Sequence, residues 1–143
     1  MKDFLSNEDK KRIVDAIKEA ELNTSGEIRV HIESHCKSNV LDRAAYIFEK
    51  LKMHKTALRN GVLFYLAYKD RKFAILGDAG INAKVPDNFW DEIKDKMAEK
   101  FKEGKFAEGL AKGIIESGNQ LKKHFPHKAD DVNELSDDIS FGD

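Results

Sequence analysis

The chain has 143 residues, enough for one hydrophobic core and too few for two, so a single domain is expected. Its 25 Lys and Arg nearly cancel 26 Asp and Glu, leaving a formal net charge of -1 that gives no field to draw nucleic acid or an anionic membrane surface. Residues 1–12 contain no apolar signal core and no later run approaches the roughly 20 apolar residues of a spanning helix, so a soluble, cytoplasmic protein is expected, and the single Cys36 suits a reducing compartment.

Ser6 with Asp9 reads as a capping-box variant, and Ile13, Val14, Ile17 and Ala20 then repeat at helical spacing, which predicts a first helix from about Ser6 to Leu22. Asn23-Thr-Ser-Gly26 breaks the pattern. Glu27-Ile-Arg-Val-His-Ile-Glu33 alternates with period two, a strand with Ile28, Val30 and Ile32 on its drier face. From Asn39 a second helix runs to about Met53, lined on one side by Leu41, Ala44, Ala45, Ile47, Phe48 and Leu51.

Gly61-Val-Leu-Phe-Tyr-Leu-Ala-Tyr68 is almost wholly apolar, as in a strand covered on both faces, and Arg71-Lys-Phe-Ala-Ile-Leu76 follows a short turn at Lys69-Asp70. These two should form an antiparallel hairpin, while the helical crossover makes the first two strands parallel. Pro86-Asp87 predicts a third helix carrying Trp90, Ile93, Met97 and Phe101 and stopping at Gly104. A final helix presents Phe106, Leu110, Ile114, Leu121 and Phe125, up to Pro126. Its Gly109, Gly113 and Gly118 each weaken a helix by roughly 1 kcal/mol relative to alanine, which points to tight packing of the helix against the sheet rather than to a binding groove. The expected fold is a three-layer α/β/α sandwich with a small mixed sheet, a β-α-β-β core and flanking amphipathic helices, spanning residues 1–128. Residues 129–143 are acidic and read as a loose tail.

Parallel pairing puts the starts of the first two strands, and the end of the third, at one edge of the sheet. Three loops should therefore converge there, carrying Ser25, Gly26 and Glu27; Thr56, Arg59 and Asn60; and Gly77, Asp78 and Gly80. Two carboxylates and an amide oxygen are the hard donors that Ca²⁺ or Mg²⁺ prefers, and a guanidinium would hold a phosphate oxygen. The plain alternative is two turns, with Arg59 as an ion-pair partner of Glu27 or Asp78. No spacing here matches a metal motif.

His31, His35 and Cys36 are the soft-ligand candidates, but their side chains should diverge along and beyond the strand, which argues against zinc and against a thiol nucleophile. No serine elbow, P-loop or dinucleotide fingerprint occurs. Trp90, with Phe89 beside it, is placed in the core.

Four stretches, Thr24-Ser-Gly-Glu-Ile-Arg-Val30, Arg59-Asn-Gly-Val-Leu-Phe-Tyr-Leu-Ala67, Arg71-Lys-Phe-Ala-Ile-Leu-Gly-Asp-Ala-Gly-Ile81 and Phe101-Lys-Glu-Gly-Lys-Phe-Ala-Glu-Gly-Leu110, occur in an order and spacing that resembles the TPM-domain family. That family includes a thylakoid-lumen protein described as an acid phosphatase, photosystem II repair proteins and bacterial proteins. The resemblance implies an α/β/α sandwich and divalent-cation binding at the same loop edge, with the family's acidic and amide positions falling on Glu27, Asn60 and Asp78. Lys52-Met-His-Lys-Thr-Ala-Leu58 replaces a Trp- and Gly-containing segment common in relatives, so one pocket wall differs. The leading expectation is a noncatalytic Ca²⁺- or Mg²⁺-binding module, with Glu27, Asn60 and Asp78 as ligands and Thr56 or Arg59 in support or touching phosphate. The alternatives are a metal-assisted phosphatase acting on phosphomonoesters and a protein-interaction adaptor that uses the acidic tail.

Overall fold

The computed structural model describes residues 4–128 and 133–142. Helix α1 (Asn7–Asn23) opens on the expected capping box, Ser6 Oγ accepting from the Asp9 N–H, and buries Ile13, Ala16, Ile17 and Ala20. Strand β1 (Glu27–Glu33) follows, then α2 (Val40–Lys50), capped by Asn39, whose Oδ1 accepts from the N–H groups of Leu41 and Asp42. A 3-10 turn (Met53–Lys55) leads to β2 (Gly61–Ala67) and β3 (Lys72–Gly77). After the one-turn α3 (Ala79–Asn82) come α4 (Asp91–Lys102) and α5 (Phe106–Leu121), and a two-residue β4 (Ser140–Phe141) closes the described chain.

The sheet has the order β3-β2-β1-β4. β1 and β2 run parallel from Glu27↔Gly61 to Glu33↔Ala67, and β2 and β3 run antiparallel from Val62↔Gly77 to Ala67↔Lys72. Every residue of β2 is buried because both its neighbours and both its faces are covered. On one face Ile28, Val30, Ile32, Val62, Phe64 and Leu66 meet the apolar stripes of α1, α4 and α5. On the other, Leu63, Tyr65 and Ala67 meet Ala44, Ile47 and Phe48 of α2. The result is the expected three-layer α/β/α sandwich.

The helical glycines serve close packing, but against neighbouring helices rather than against the sheet as expected. A Cβ on Gly118 would stand 2.8 Å from the Ala20 Cα on α1, and one on Gly113 would stand 2.5 Å from the Met97 sulfur on α4. Removing those Cβ atoms brings three helices together over the sheet, at the propensity cost the sequence shows.

Four features differ from the sequence reading. Helix α2 stops at Lys50 rather than near Met53, which instead opens the 3-10 turn. Regular helix α4 starts at Asp91, because Pro86–Trp90 forms tight turns in which the Phe89 N–H donates to the Pro86 carbonyl. α5 ends at Leu121 because the Phe125 carbonyl is drawn away to accept from the Ser25 N–H at 2.9 Å and from the Thr24 hydroxyl, and Pro126 bridges Thr24. The acidic stretch, read from sequence as a loose tail, is docked where it is described. Residues 133–142 run alongside β1, Leu135 sits in the α2-side core, and β4 adds a parallel edge strand at His31↔Ser140 and Ile32↔Phe141. Residues 129–132 of that stretch, and residue 143, lie outside the described part. Among the described residues no helix is long and apolar enough to cross a membrane.

Candidate functional site

The three loops converge as the topology requires. At the N-terminal ends of β1 and β2, the Glu27 N–H donates to the Asn60 carbonyl at 2.9 Å, the Asp78 N–H donates to the Gly61 carbonyl at 2.9 Å, and the Gly80 N–H donates to the Arg59 carbonyl at 2.9 Å. The last contact is so close that a Cβ on Gly80 would stand 2.1 Å from the Leu58 oxygen, so only glycine fits. Beside this junction lies a cleft of about 800 Å³ whose lining includes Glu27, Asn60, Leu58, Lys84, His124 and Glu134.

Glu27 stands on its floor, nearly inaccessible. Its Oε1 accepts from the N–H groups of Glu134 at 2.5 Å and Leu135 at 2.7 Å, which fastens the C-terminal segment to the start of β1. Burial pushes the Glu27 carboxyl above its ordinary value, the two N–H groups pull it back, and the adjoining Glu134 carboxylate pushes it up again. The Glu134 carboxylate itself accepts from the Ala57 N–H at 3.3 Å.

Asn60 is buried beside Glu27. Its Nδ2 donates to the Ser25 carbonyl at 2.6 Å and its backbone N–H donates to the Thr56 hydroxyl at 3.1 Å, whereas its Oδ1 is fully buried with no hydrogen-bond partner. An orphaned acceptor of this kind carries a desolvation cost of about 1–3 kcal/mol and is uncommon in a native interior.

Asp78 is otherwise engaged. Both its oxygens accept from the Arg59 guanidinium, Oδ2 from Nε at 2.7 Å and Oδ1 from Nη2 at 2.8 Å, and Oδ1 also accepts the Ala79 N–H that opens α3. Burial pushes the Asp78 carboxyl up, but the hydrogen bonds from Arg59 and Ala79 outweigh it and hold the group below the usual carboxylate range. Arg59 adopts φ +50° to make this fork, and Asp78 does not line the cleft. Of the expected oxygen donors, then, Glu27 and Asn60 share the cleft, Thr56 supports Asn60, and the Arg59–Asp78 pair closes the loop behind them. Among the described residues no three His, Cys, Asp or Glu side chains gather closely enough to hold a metal by themselves.

A sequence model of the TPM domain matches residues 1–120 of the chain. The chain belongs to the TPM domain family. None of the curated proteins compared matches it. Among solved structures, the protein BA42 from the psychrophilic bacterium Bizionia argentinensis is 50% identical with a TM-score of 0.94, over 99% of this chain and 98% of that one. The N-terminal domain of a protein from P. gingivalis shares the fold at 21% identity and a TM-score of 0.72, over 88% and 82% of the two chains. The N-terminal domain of cg2496 from Corynebacterium glutamicum does so at 14% identity and 0.62, over 97% and 80%.

Sequence reasoning missed Glu134, Lys84 and His124 as cleft residues of this TPM domain. Glu134 comes from the segment read as a loose tail; the alternation Ile139-Ser-Phe141 and the lone Leu135 were the signals that it docks. It also missed a buried polar cluster on the wetter face of β1. Glu33 accepts from Arg43 Nε at 2.8 Å and Nη2 at 2.9 Å and from the Tyr65 hydroxyl, and lies 3.4 Å from His31 Nε2, while His31 Nδ1 meets the Ser140 hydroxyl at 2.8 Å. His35 turns outward to Asp70 at 2.9 Å and Cys36 is a buried free thiol, so the soft-ligand candidates do diverge. Trp90 is a core residue.

Proposed function

We propose that this TPM domain binds a divalent cation, Ca²⁺ or Mg²⁺, in the cleft at the N-terminal ends of β1 and β2. The observation that carries the reading is the buried, partnerless Asn60 Oδ1 beside the Glu27 and Glu134 carboxylates. An amide oxygen and two carboxylates are hard oxygen donors, and a Mg²⁺-like ion that keeps several of its waters needs few protein ligands. A cation there would satisfy the orphaned acceptor and relieve the repulsion between Glu27 and Glu134. Thr56 and the Arg59–Asp78 fork support the loop that carries Asn60 without touching the ion.

Heteronuclear NMR with stepwise Ca²⁺ and then Mg²⁺ tests this. Amide shifts should concentrate at residues 25–27, 57–60 and 134–135. Glu27→Gln should weaken binding by about tenfold and Glu134→Gln by several-fold, in line with the loss of one charged ligand, while Asp78→Asn should leave affinity nearly unchanged. Shifts elsewhere, or Asp78→Asn as damaging as Glu27→Gln, would overturn the assignment.

One observation favours a second reading, a cation-assisted phosphomonoesterase: Lys84 and His124 line the same cleft as the acidic pair, giving a phosphate group an ammonium and an imidazole as neighbours. The bound ion would supply Lewis acidity, and these two side chains would orient the phosphate. Hydrolysis of a generic aryl phosphate that needs the cation and is lost in Lys84→Ala would support it; no turnover above the protein-free rate would remove it.

A further inference from the structure

At the opposite end of the sheet from the cleft, between the tip of the β2–β3 hairpin and helices α4 and α5, lies a separate cavity of about 260 Å³. Its walls are Leu66, Phe73, Phe101 and Phe106, and two cations, Arg71 and Lys102, border it. The rings form a continuous aromatic wall: Phe73 meets Phe101 edge-on at 5.0 Å, and Phe101 stacks on Phe106 at 5.6 Å. These three rings are only partly covered, whereas most of the apolar side chains on that face of the sheet are fully buried. Among the described residues no carboxylate lines the cavity.

The acidic residues adjoining the two cations in sequence serve other groups. Asp70 holds His35 and the Cys36 N–H, and Glu103 holds Lys105. Among the described residues neither Arg71 nor Lys102 forms an ion pair. Arg71 also sits at φ +54°, a left-handed turn position that glycine fills without steric cost and asparagine tolerates better than arginine. The hairpin therefore carries a long cationic side chain at a place where the turn itself asks for none, and that side chain borders an aromatic cavity.

We propose that this cavity binds a small amphiphilic monocarboxylate, with its aryl or short alkyl body against Phe73, Phe101 and Phe106 and its carboxylate toward Arg71 and Lys102. The charge balance of the rim selects an anion, and the wall selects an apolar body. The volume lies just under the range of about 300–1,000 Å³ usual for ligand pockets, which fits one ring or a short chain and excludes a nucleotide. The proposal does not depend on cation binding in the cleft.

The test is an NMR titration of the cation-free protein with phenylpropionate, compared with its neutral analogue phenylpropanol. Saturable shifts are expected at the amides around residues 71–73 and 101–106. The alcohol should bind about fivefold more weakly, the worth of a partly exposed charge pair. The double variant Arg71→Gln, Lys102→Gln should lose a similar factor for the acid and nothing for the alcohol, with an unchanged spectrum elsewhere showing that it folds. Equal binding of acid and alcohol, shifts at Lys84 and His124 instead, or no saturation below about 5 mM, where affinity is marginal, would each overturn the proposal. So would shifts at the rings that follow protein concentration rather than ligand, since a second copy of the chain would then cover the cavity.

Discussion

Leu135→Ala should open the C-terminal segment without unfolding the domain. Leu135 is the one apolar side chain that the described part of the acidic stretch places in the α2-side core, and it is 9% exposed. Its neighbours on the segment are held by hydrogen bonds alone on that side: the N–H groups of Glu134 and Leu135 to Glu27, the Ser140 hydroxyl to His31, and the Gly142 N–H to the Ile32 carbonyl. Truncating a buried leucine costs about 2–5 kcal/mol, and a site at the rim of a core relaxes toward the lower value, so roughly 2 kcal/mol is expected here. Because the segment pairs with the sheet only through edge strand β4, that loss should fall on a local opening rather than on the global transition. A loss of 2 kcal/mol multiplies the opening constant by about 30. Native-state hydrogen exchange reads this directly: protection at Leu135 and Gly142 should fall by about that factor, while Phe64 and Leu66 in the central strand keep theirs. An equal loss of protection throughout β2 would show that the segment belongs to the main cooperative unit and refute the reasoning. Unchanged protection at Gly142 would refute the anchoring role of Leu135.

Two pH effects follow from the buried carboxyls. Burial pushes Glu33 up, but hydrogen bonds from Arg43 and Tyr65 outweigh it and hold the group below its ordinary 4.5, so the unfolded chain binds the proton more readily and the stabilisation is lost as pH falls below that value. Glu33→Gln should therefore cost roughly 3 kcal/mol at pH 7, at the low end for a buried pair because Arg43 reaches solvent, and the gap from the parent protein in urea unfolding should narrow below pH 4.5; a gap that is constant with pH would refute the assignment. Glu21 behaves oppositely: burial, then the hydrogen bond with Asp137, push its carboxyl up to about 9. The folded state there holds the proton more tightly, so stability is lost as pH rises from 4.5 toward 9, and Glu21→Gln should stabilise the protein at pH 8 while changing little at pH 4.5. Equal effects at both pH values would count against Glu21 holding its proton in the folded state.

Much of this architecture was legible because it is local or periodic. The capping box at Ser6, the alternation of β1 and the unbroken apolar run of β2 each state their element within a few residues, and the parallel crossover follows from a helix between strands. The convergence of Glu27, Asn60 and Asp78 at one edge was likewise readable, since strand direction alone places their loops. What strand direction does not give is which atoms face which. Arg59 had Glu27 and Asp78 as possible ion-pair partners in the sequence, and it turns to Asp78 from a backbone at φ +50°, a choice that strand direction does not make. The pairings His31 with Ser140 and Glu27 with Glu134 join residues more than 100 positions apart, and no period marks them.

The acidic C-terminal stretch misled because its composition describes its outward face. Asp138 lies opposite Arg29 of β1 and Asp137 against Glu21 of α1, while Leu135, Ile139 and Phe141 supply the apolar contacts. Three apolar side chains among acids fall below any hydrophobic threshold for a folded element, yet they suffice when the partner is a preformed sheet edge that offers backbone hydrogen bonds. On the reading proposed above, the same segment also delivers Glu134 to the cation. Cation binding and docking of the segment would then be one linked equilibrium: an ion that binds only the docked form stabilises it by RT ln(1 + [L]/Kd), about 2.7 kcal/mol at a hundred times Kd. Saturating Ca²⁺ or Mg²⁺ should therefore restore the exchange protection that Leu135→Ala removes at Gly142. Failure to do so, alongside normal cation binding at Glu27, would place the ion in the cleft without Glu134 and separate the site from the segment that covers it.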